Sequence, residues 1–241
     1  MSEVAANLAL IQERIALACD KAGRLRSEVQ LIAVSKTFAV EDIREAVDCG
    51  HRDFGESRLQ EAEPKVAMLP GNLKWHFIGK LQRNKVRRIL PLFEFVHAVD
   101  SLRLAGYMNE ISSELGLFPK VFLQINVGGE ASKGGFEPES VFSDMEGLLS
   151  LPRLSVAGLM CIPPVEPDAE SARPWFSSLR VLRDRLEAEF KVSLPALSMG
   201  MSGDFETAIE EGATHVRVGS AIFGKRAYQV DGELGGNHSD S

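Results

Sequence analysis

Two cationic side chains at the ends of apolar runs carry the chemistry of this chain. Lys36 closes the run LIAVSK (31–36), where alternation puts Ile32, Val34 and Lys36 on one face. An amine in an apolar setting has its pKa lowered, and the neutral form is the one that attacks an aldehyde. The alternative is a lysine that reaches out of the strand end into solvent. Near the other end, HVRVGSAIFGK sets Val216 and Val218 on one face and Arg217 and Gly219 on the other. The valines suit a helix-covered face, which turns Arg217 inward, where a guanidinium needs an anion or a strong acceptor. A salt bridge to a carboxylate such as Glu56 would serve, and so would a ligand. Gly219 lets a ligand approach the backbone, and Ser220 begins a short turn whose amides can hold a phosphate. The segment SMGMSGDFETAIEEG adds Ser202, expected as the N-cap of a helix starting near Gly203, with Asp204 and Glu206 in its first turn. Plain capping explains that serine, and it is compatible with phosphate binding.

These groups need a scaffold, and periodicity supplies one. An amphipathic helix spans about residues 4–21. Eight short apolar runs follow: 31–36, 52–56, 75–79, 95–100, 120–127, 154–162, 194–200 and 215–220. Helical patterns fall between them, as at 40–50, 101–116 and 171–190. Several runs are apolar on both faces, as parallel strands covered by helices must be. Strict alternation of strand and helix implies a parallel sheet, closed or open. An open dinucleotide-binding sheet wants G-x-G-x-x-G after a strand, and no two glycines here stand two apart. The expectation is therefore one α/β domain over 1–226, a (β/α)8 TIM-type barrel of parallel strands with an extra N-terminal helix. Its chemistry belongs at the C-terminal ends of the strands. The polar, glycine-rich stretch 227–241 is expected to be disordered.

Composition narrows the partners. A net charge of -7 opposes general binding to nucleic acids or anionic membranes. No apolar stretch approaches the roughly 18 residues of a membrane span, and the N-terminal region lacks the pattern of a signal peptide. Cys19, Cys49 and Cys161 are odd in number and far apart, which favours a reducing cytoplasm over a disulfide framework. The five histidines show no metal-ligand spacing with each other or with the cysteines. The basic run KLQRNKVRR (80–88) lacks aromatic stacking partners and reads as a solvated helix face. Glu210 and Glu211 read as surface charges at a helix end.

Taken in order, LIAVSKTF, FGESRLQEA, KWHFIGKLQRNK, LSMGMSGDFETAI and HVRVGSAIFGKR resemble the pyridoxal phosphate homeostasis proteins, relatives of the alanine racemase barrel domain. The likeness covers roughly residues 8–226. It implies that Lys36 holds pyridoxal 5′-phosphate as an internal aldimine and that Ser202, Gly219 and Ser220 hold its phosphate. It also implies that Arg217 faces the pyridine nitrogen, with His76 near the ring. Where the family reads Gly-Glu-Asn, this chain has Gly55-Glu56-Ser57, so a contact made by asparagine falls to a shorter hydroxyl. An arginine, unlike a carboxylate, leaves the ring nitrogen unprotonated and the ring a weaker electron sink. In the resembling racemases a second base, a tyrosine, comes from an additional β-domain; Tyr107 and Tyr228 are not placed to replace it. The expectation is a cytoplasmic, monomeric carrier that buffers the cofactor and hands it to apo-enzymes. Racemisation of amino acids at low rate is the alternative.

Overall fold

The computed structural model describes residues 2–130 and 134–224; the expected disordered stretch 227–241 lies outside them. Eight parallel strands close in sequence order into a barrel. They are β1 (Gln30–Val34), β2 (Asp53–Glu56), β3 (Lys74–Phe77), β4 (Phe95–Val99), β5 (Lys120–Gln124), β6 (Ser155–Met160), β7 (Ala196–Ser198) and β8 (His215–Val218). Each falls inside or within one residue of a run read from the sequence, but several are shorter. The run at 194–200 keeps three strand residues, and the strand before Lys36 ends at Val34. Lys36 itself stands in the turn that follows.

The helices are α2 (Val40–Asp48), α3 (Leu59–Met68), α4 (Val86–Ile89), α5 (Leu102–Leu115), α6 (Ser140–Leu149), α7 (Arg173–Phe190), α8 (Phe205–Glu210) and α9 (Ser220–Phe223). Local chemistry sets their ends. Ser101 accepts the Leu104 amide at the start of α5, and Gly116 closes that helix in the left-handed region at φ 68°. The additional helix α1 (Glu3–Lys21) buries Val4, Leu8, Ile11, Ile15, Ala18 and Cys19, a stripe at helical spacing. It lies against α8 and α9, where Arg14 pairs with Glu206 at 2.7 Å and Asn7 donates to the Ile222 carbonyl.

Two cores result from the alternation of side chains along each strand. Outward residues such as Phe54, Leu123, Leu159, Leu197, Val216 and Val218 are buried under the helices. Inside the barrel, Phe95, Ala98, Phe122, Met160 and Ala196 form a separate cluster. The basic run at 80–88 is only partly helical: a 3-10 turn at Arg83–Lys85 leads into the one-turn α4. Its charges are engaged at the surface, Arg87 with Glu114, Arg88 with Glu63, and Arg83 over the Tyr107 ring. Glu210 and Glu211 are not simple surface charges. Arg173 pairs with both, Lys21 joins Glu210 and Arg180 joins Glu211, tying α1 and α7 to the end of α8.

No described helix is long and apolar enough to cross a membrane. Among the described residues no disulfide joins the three cysteines, and no cluster of three or more metal-ligating side chains occurs.

The tightest backbone approach in the barrel is at Gly158, opposite Ala196, where a Cβ would stand 1.8 Å from the Ala196 carbonyl oxygen. No side-chain movement relieves a clash with backbone. Gly158→Ala is expected to lower unfolding free energy by about 3 kcal/mol or more, the upper end for overpacking. Urea denaturation measures it, and a loss below about 1 kcal/mol would contradict the register.

Candidate functional site

Six of the seven residues singled out from the sequence line one cavity of about 300 Å³ at the C-terminal mouth of the barrel: Lys36, Ser57, Ser202, Arg217, Gly219 and Ser220. Val34, Ile78 and Ile162 supply apolar wall. His76 is not among the lining residues. It lies inside the barrel, fully buried and stacked on Phe95 at 4.5 Å.

The turn bearing Lys36 is held from behind. Lys65, from α3, donates to the Ser35 carbonyl at 2.8 Å and to Glu56 Oε1 at 2.7 Å. The Ser35 hydroxyl donates to the same carboxylate oxygen at 2.7 Å. Burial pushes the Glu56 carboxyl above its ordinary range, opposed by Lys65 and Ser35. Thr37, next to Lys36, sits at φ 71°, an uncommon conformation for a β-branched residue. Its amide donates to Glu61 Oε2 at 2.8 Å, which holds the chain there. Ser57 is fixed by a close approach of the next strand's end, since a Cβ on Gly79 would meet the Ser57 carbonyl oxygen at 2.2 Å.

Arg217 turns into the barrel, as alternation requires, and is almost completely buried. Its partner is not Glu56, which Lys65 occupies. Nη1 donates to the Ser198 hydroxyl at 2.6 Å and Nη2 to the Cys161 carbonyl at 2.9 Å. Both acceptors are neutral, and burial draws the guanidinium pKa down from its usual value. Its other donors remain for the cavity it lines.

Ser202 departs from the sequence expectation. The helix α8 begins at Phe205 with Asp204 at the cap, and Asp204 Oδ1 accepts the Met201 amide at 2.6 Å. Ser202 sits in the preceding turn and its hydroxyl accepts the Gly219 amide at 3.2 Å, joining the loops after β7 and β8. Ser220 opens α9, so the first-turn amides of Ser220 and Ala221 have no intrahelical acceptor. Hydroxyls and open amides from two loops therefore face one end of the cavity, and an amine and a guanidinium the remainder. That set suits a small anion bearing an aldehyde or carbonyl.

The family model for alanine racemase, N-terminal domain, matches residues 6–227. The pyridoxal phosphate homeostasis protein of Aquifex aeolicus is 46% identical over 222 residues, 92% of this chain and 97% of that protein. Its counterpart in Pseudomonas aeruginosa is 47% identical over 232 residues, 95% and 98% of the two chains. The chain belongs to the pyridoxal phosphate homeostasis proteins. A solved family structure, PipY of Synechococcus elongatus with pyridoxal phosphate bound, matches at TM-score 0.78 and 39% identity, covering 89% of this chain and all of that one. Alanine racemase of Clostridium difficile shares the fold, at TM-score 0.71 and 19% identity. This chain spans 56% of its length.

Several residues of this homeostasis-family site escape a reading of the sequence. Lys65, Glu61, Ser198 and His97 do not line the cavity: Ser198 holds Arg217 directly, Lys65 and Glu61 hold the backbone on either side of Lys36, and His97 stands behind Ser198. The pattern FVHAV gave a usable signal for His97, because alternation puts it on the face of Phe95, inside the barrel. Nothing local marks Lys65, which shares the described α-helices with one other lysine, Lys21.

Removing Lys65 would leave a buried carboxylate held by the Ser35 hydroxyl. Lys65→Met is expected to cost about 3–5 kcal/mol at neutral pH. The unpaired Glu56 would have its folded pKa raised further above its unfolded value, so the folded state binds more protons than the unfolded state between the two. Stability in that window falls as pH rises, and the cost relative to wild type should shrink as pH is lowered toward the ordinary glutamate value. Urea unfolding of both proteins across that range tests this; a cost that grows in acid would refute it.

Proposed function

We propose that the chain binds pyridoxal 5′-phosphate, held on Lys36 as a Schiff base, and serves in intracellular vitamin B6 homeostasis without significant turnover. The observation that carries this reading is one cavity in which an amine, a buried guanidinium and a hydroxyl-and-amide cradle meet. About 300 Å³ is the lower end for small-molecule sites and suits one substituted ring with a phosphate arm. The names of the relatives and the ligand in PipY support the same choice of cofactor.

When bound, the cofactor supplies a reactive aldehyde and a ring able to delocalise electrons. The chain's residues would divide the work of holding it. Lys36 supplies the amine, in a turn fixed by Lys65 and Glu61. Ser202 and Ser220 offer hydroxyls to the phosphate, with the amides around Gly219 completing the cradle. Arg217 would offer a donor to the ring nitrogen, which would then accept rather than carry a proton. Ser57 stands at the edge, where its hydroxyl reaches less far than the family's asparagine. His76 acts from inside the barrel rather than against the ring.

The absence of turnover rests on acid–base inventory. Racemisation needs a base on each face of the reacting carbon, and Lys36 is the one ordinary base among the described residues that line the cavity. Tyr107 packs against Arg83 on the outer surface. Apo-forms of pyridoxal phosphate enzymes are the recipients this reading implies, with the carrier a cytoplasmic monomer that binds neither nucleic acid nor membrane.

Purified protein incubated with the cofactor should be yellow, and borohydride should fix the label on the peptide containing Lys36. Lys36→Ala should fold normally and take no label. A colourless wild type, or a label on another lysine, would overturn the binding reading.

Heavy water separates carriage from catalysis. Exchange of the α-proton across a panel of amino acids should run no faster than with free cofactor at the same concentration. Exchange well above that background, lost in Lys36→Ala, would make the racemase reading the correct one.

A further inference from the structure

A line of buried polar groups runs through the barrel away from the cavity. Ser198, which accepts from Arg217 Nη1 at 2.6 Å, lies 2.8 Å from His97 Nδ1. His97 Nε2 is 3.0 Å from His76 Nδ1, and His76 Nε2 is 3.3 Å from Asp53 Oδ1. Ser198, His97 and His76 are fully buried, while Asp53, at the start of β2, is partly exposed at the opposite end of the barrel. Gln30 also donates to Asp53 Oδ1.

Donor counting gives this line a single direction. The Asp53 carboxylate can only accept, so a neutral His76 carries its proton on Nε2 and its Nδ1 accepts. His97 must then carry its proton on Nε2 and give it to His76 Nδ1. His97 Nδ1 in turn accepts the Ser198 hydroxyl proton, and the Ser198 oxygen accepts from Arg217. A neutral His76 with its proton on Nδ1 would turn the Nε2 lone pair on the carboxylate, and a neutral His97 with its proton on Nδ1 would set two lone pairs against each other between the rings. Stacking of His97 on Phe122 at 4.3 Å and of His76 on Phe95 at 4.5 Å restrains ring flips that would offer another order.

We propose that Asp53, His76, His97 and Ser198 form an oriented hydrogen-bond relay that positions Arg217 and couples it to the far end of the barrel. The residues are positioning residues: none of the four lines the cavity. The relay presents Arg217 with an acceptor that cannot turn into a donor, so its remaining N–H groups stay aimed at the cavity. Occupation of those donors by an acceptor changes the polarisation of Ser198, and each neighbour feels the change in turn. The coupling to a ligand rests on the pyridoxal phosphate reading; the proton order does not.

Nitrogen-15 NMR of histidine-labelled protein tests both parts. In the cofactor-free protein at neutral pH, His76 and His97 should each show the neutral Nε2–H tautomer. Adding pyridoxal 5′-phosphate should move both sets of ring-nitrogen resonances. Its 1-deaza analogue keeps the aldehyde and phosphate but has no ring nitrogen, and should colour the protein while leaving His76 and His97 nearly unmoved. Ser198→Ala should still bind the cofactor, roughly three- to tenfold more weakly for one lost hydrogen bond, and its histidines should no longer respond. A cationic or Nδ1–H ring in the cofactor-free protein would overturn the relay. So would unmoved resonances in yellow wild type, or equal shifts with the analogue. Failure of the cofactor reading shows itself separately as a protein that stays colourless, and the tautomers of the cofactor-free protein then decide the relay alone.

Discussion

A guanidinium enclosed by a β-barrel must be satisfied without water, and Arg217 sets that condition for the whole interior. An unpaired buried charge would cost several kcal/mol, so every position around it is constrained. The chain answers with neutral acceptors, a serine hydroxyl and a backbone carbonyl, rather than a carboxylate. A carboxylate in contact would neutralise the charge and turn the arginine into a structural pair. Neutral acceptors hold the group in place while leaving its charge for whatever enters the cavity. The same condition explains why histidines occupy the barrel interior: only groups able to accept on one side and donate on the other can extend such a line through an apolar interior.

The opposite wall is built on the reverse principle. There a carboxylate and an ammonium are both buried, and Glu56 and Lys65 neutralise one another directly behind the turn that carries Lys36. Lys65 also grips the Ser35 carbonyl, so the ion pair fixes backbone position and not only charge. Thr37 carries a conformation that costs on the order of 1–3 kcal/mol, sustained by the Glu61 carboxylate on its amide. With its own positive charge committed, Lys65 is withheld from the cavity, and Lys36 is the lysine that reaches it. Lys65 is the structural lysine of the two, placed by the strand-end carbonyl and the carboxylate it reaches.

The barrel was legible because its signals are local and repeated. Apolar runs of strand length alternate with amphipathic helices, and the absence of a dinucleotide fingerprint removes the open sheet. The inward side of Arg217 was also legible, since alternation along β8 decides which way it faces, whereas Lys36 and Gly219 lie past the ends of β1 and β8 and reach the cavity from the loops. Ser202 shows where that reasoning stops. Ser202 and Asp204 are both good capping residues, but the helix begins only after Asp204, and the Ser202 hydroxyl accepts the Gly219 amide, a contact 17 residues away in sequence. The partner of Arg217 was out of reach for the same reason. Inward arginine and nearby Glu56 invite a salt bridge, but Glu56 lies on the outward face of β2, where α3 brings Lys65. A strand's alternation sorts residues between faces; which groups then meet is set by neighbours that the sequence does not make adjacent.

That sorting also bears on why this barrel would carry a cofactor rather than turn it over. The inward face of a closed eight-stranded barrel is narrow, and here aromatic rings and the histidine line fill it below the cavity. A catalytic base opposite Lys36 would have to come from the rim loops. Besides Lys36 and Arg217, the described rim residues that line the cavity contribute serines, glycines and apolar side chains, which hold an anion and exclude water but do not move a proton. Arg217, already deprived of a carboxylate partner, does not give up its proton at neutral pH even with its pKa lowered by burial. Among the described residues that line it, the cavity therefore combines several anion-holding groups with one ordinary base, and the proposed role of holding an aldehyde rather than transforming what binds to it rests on that combination.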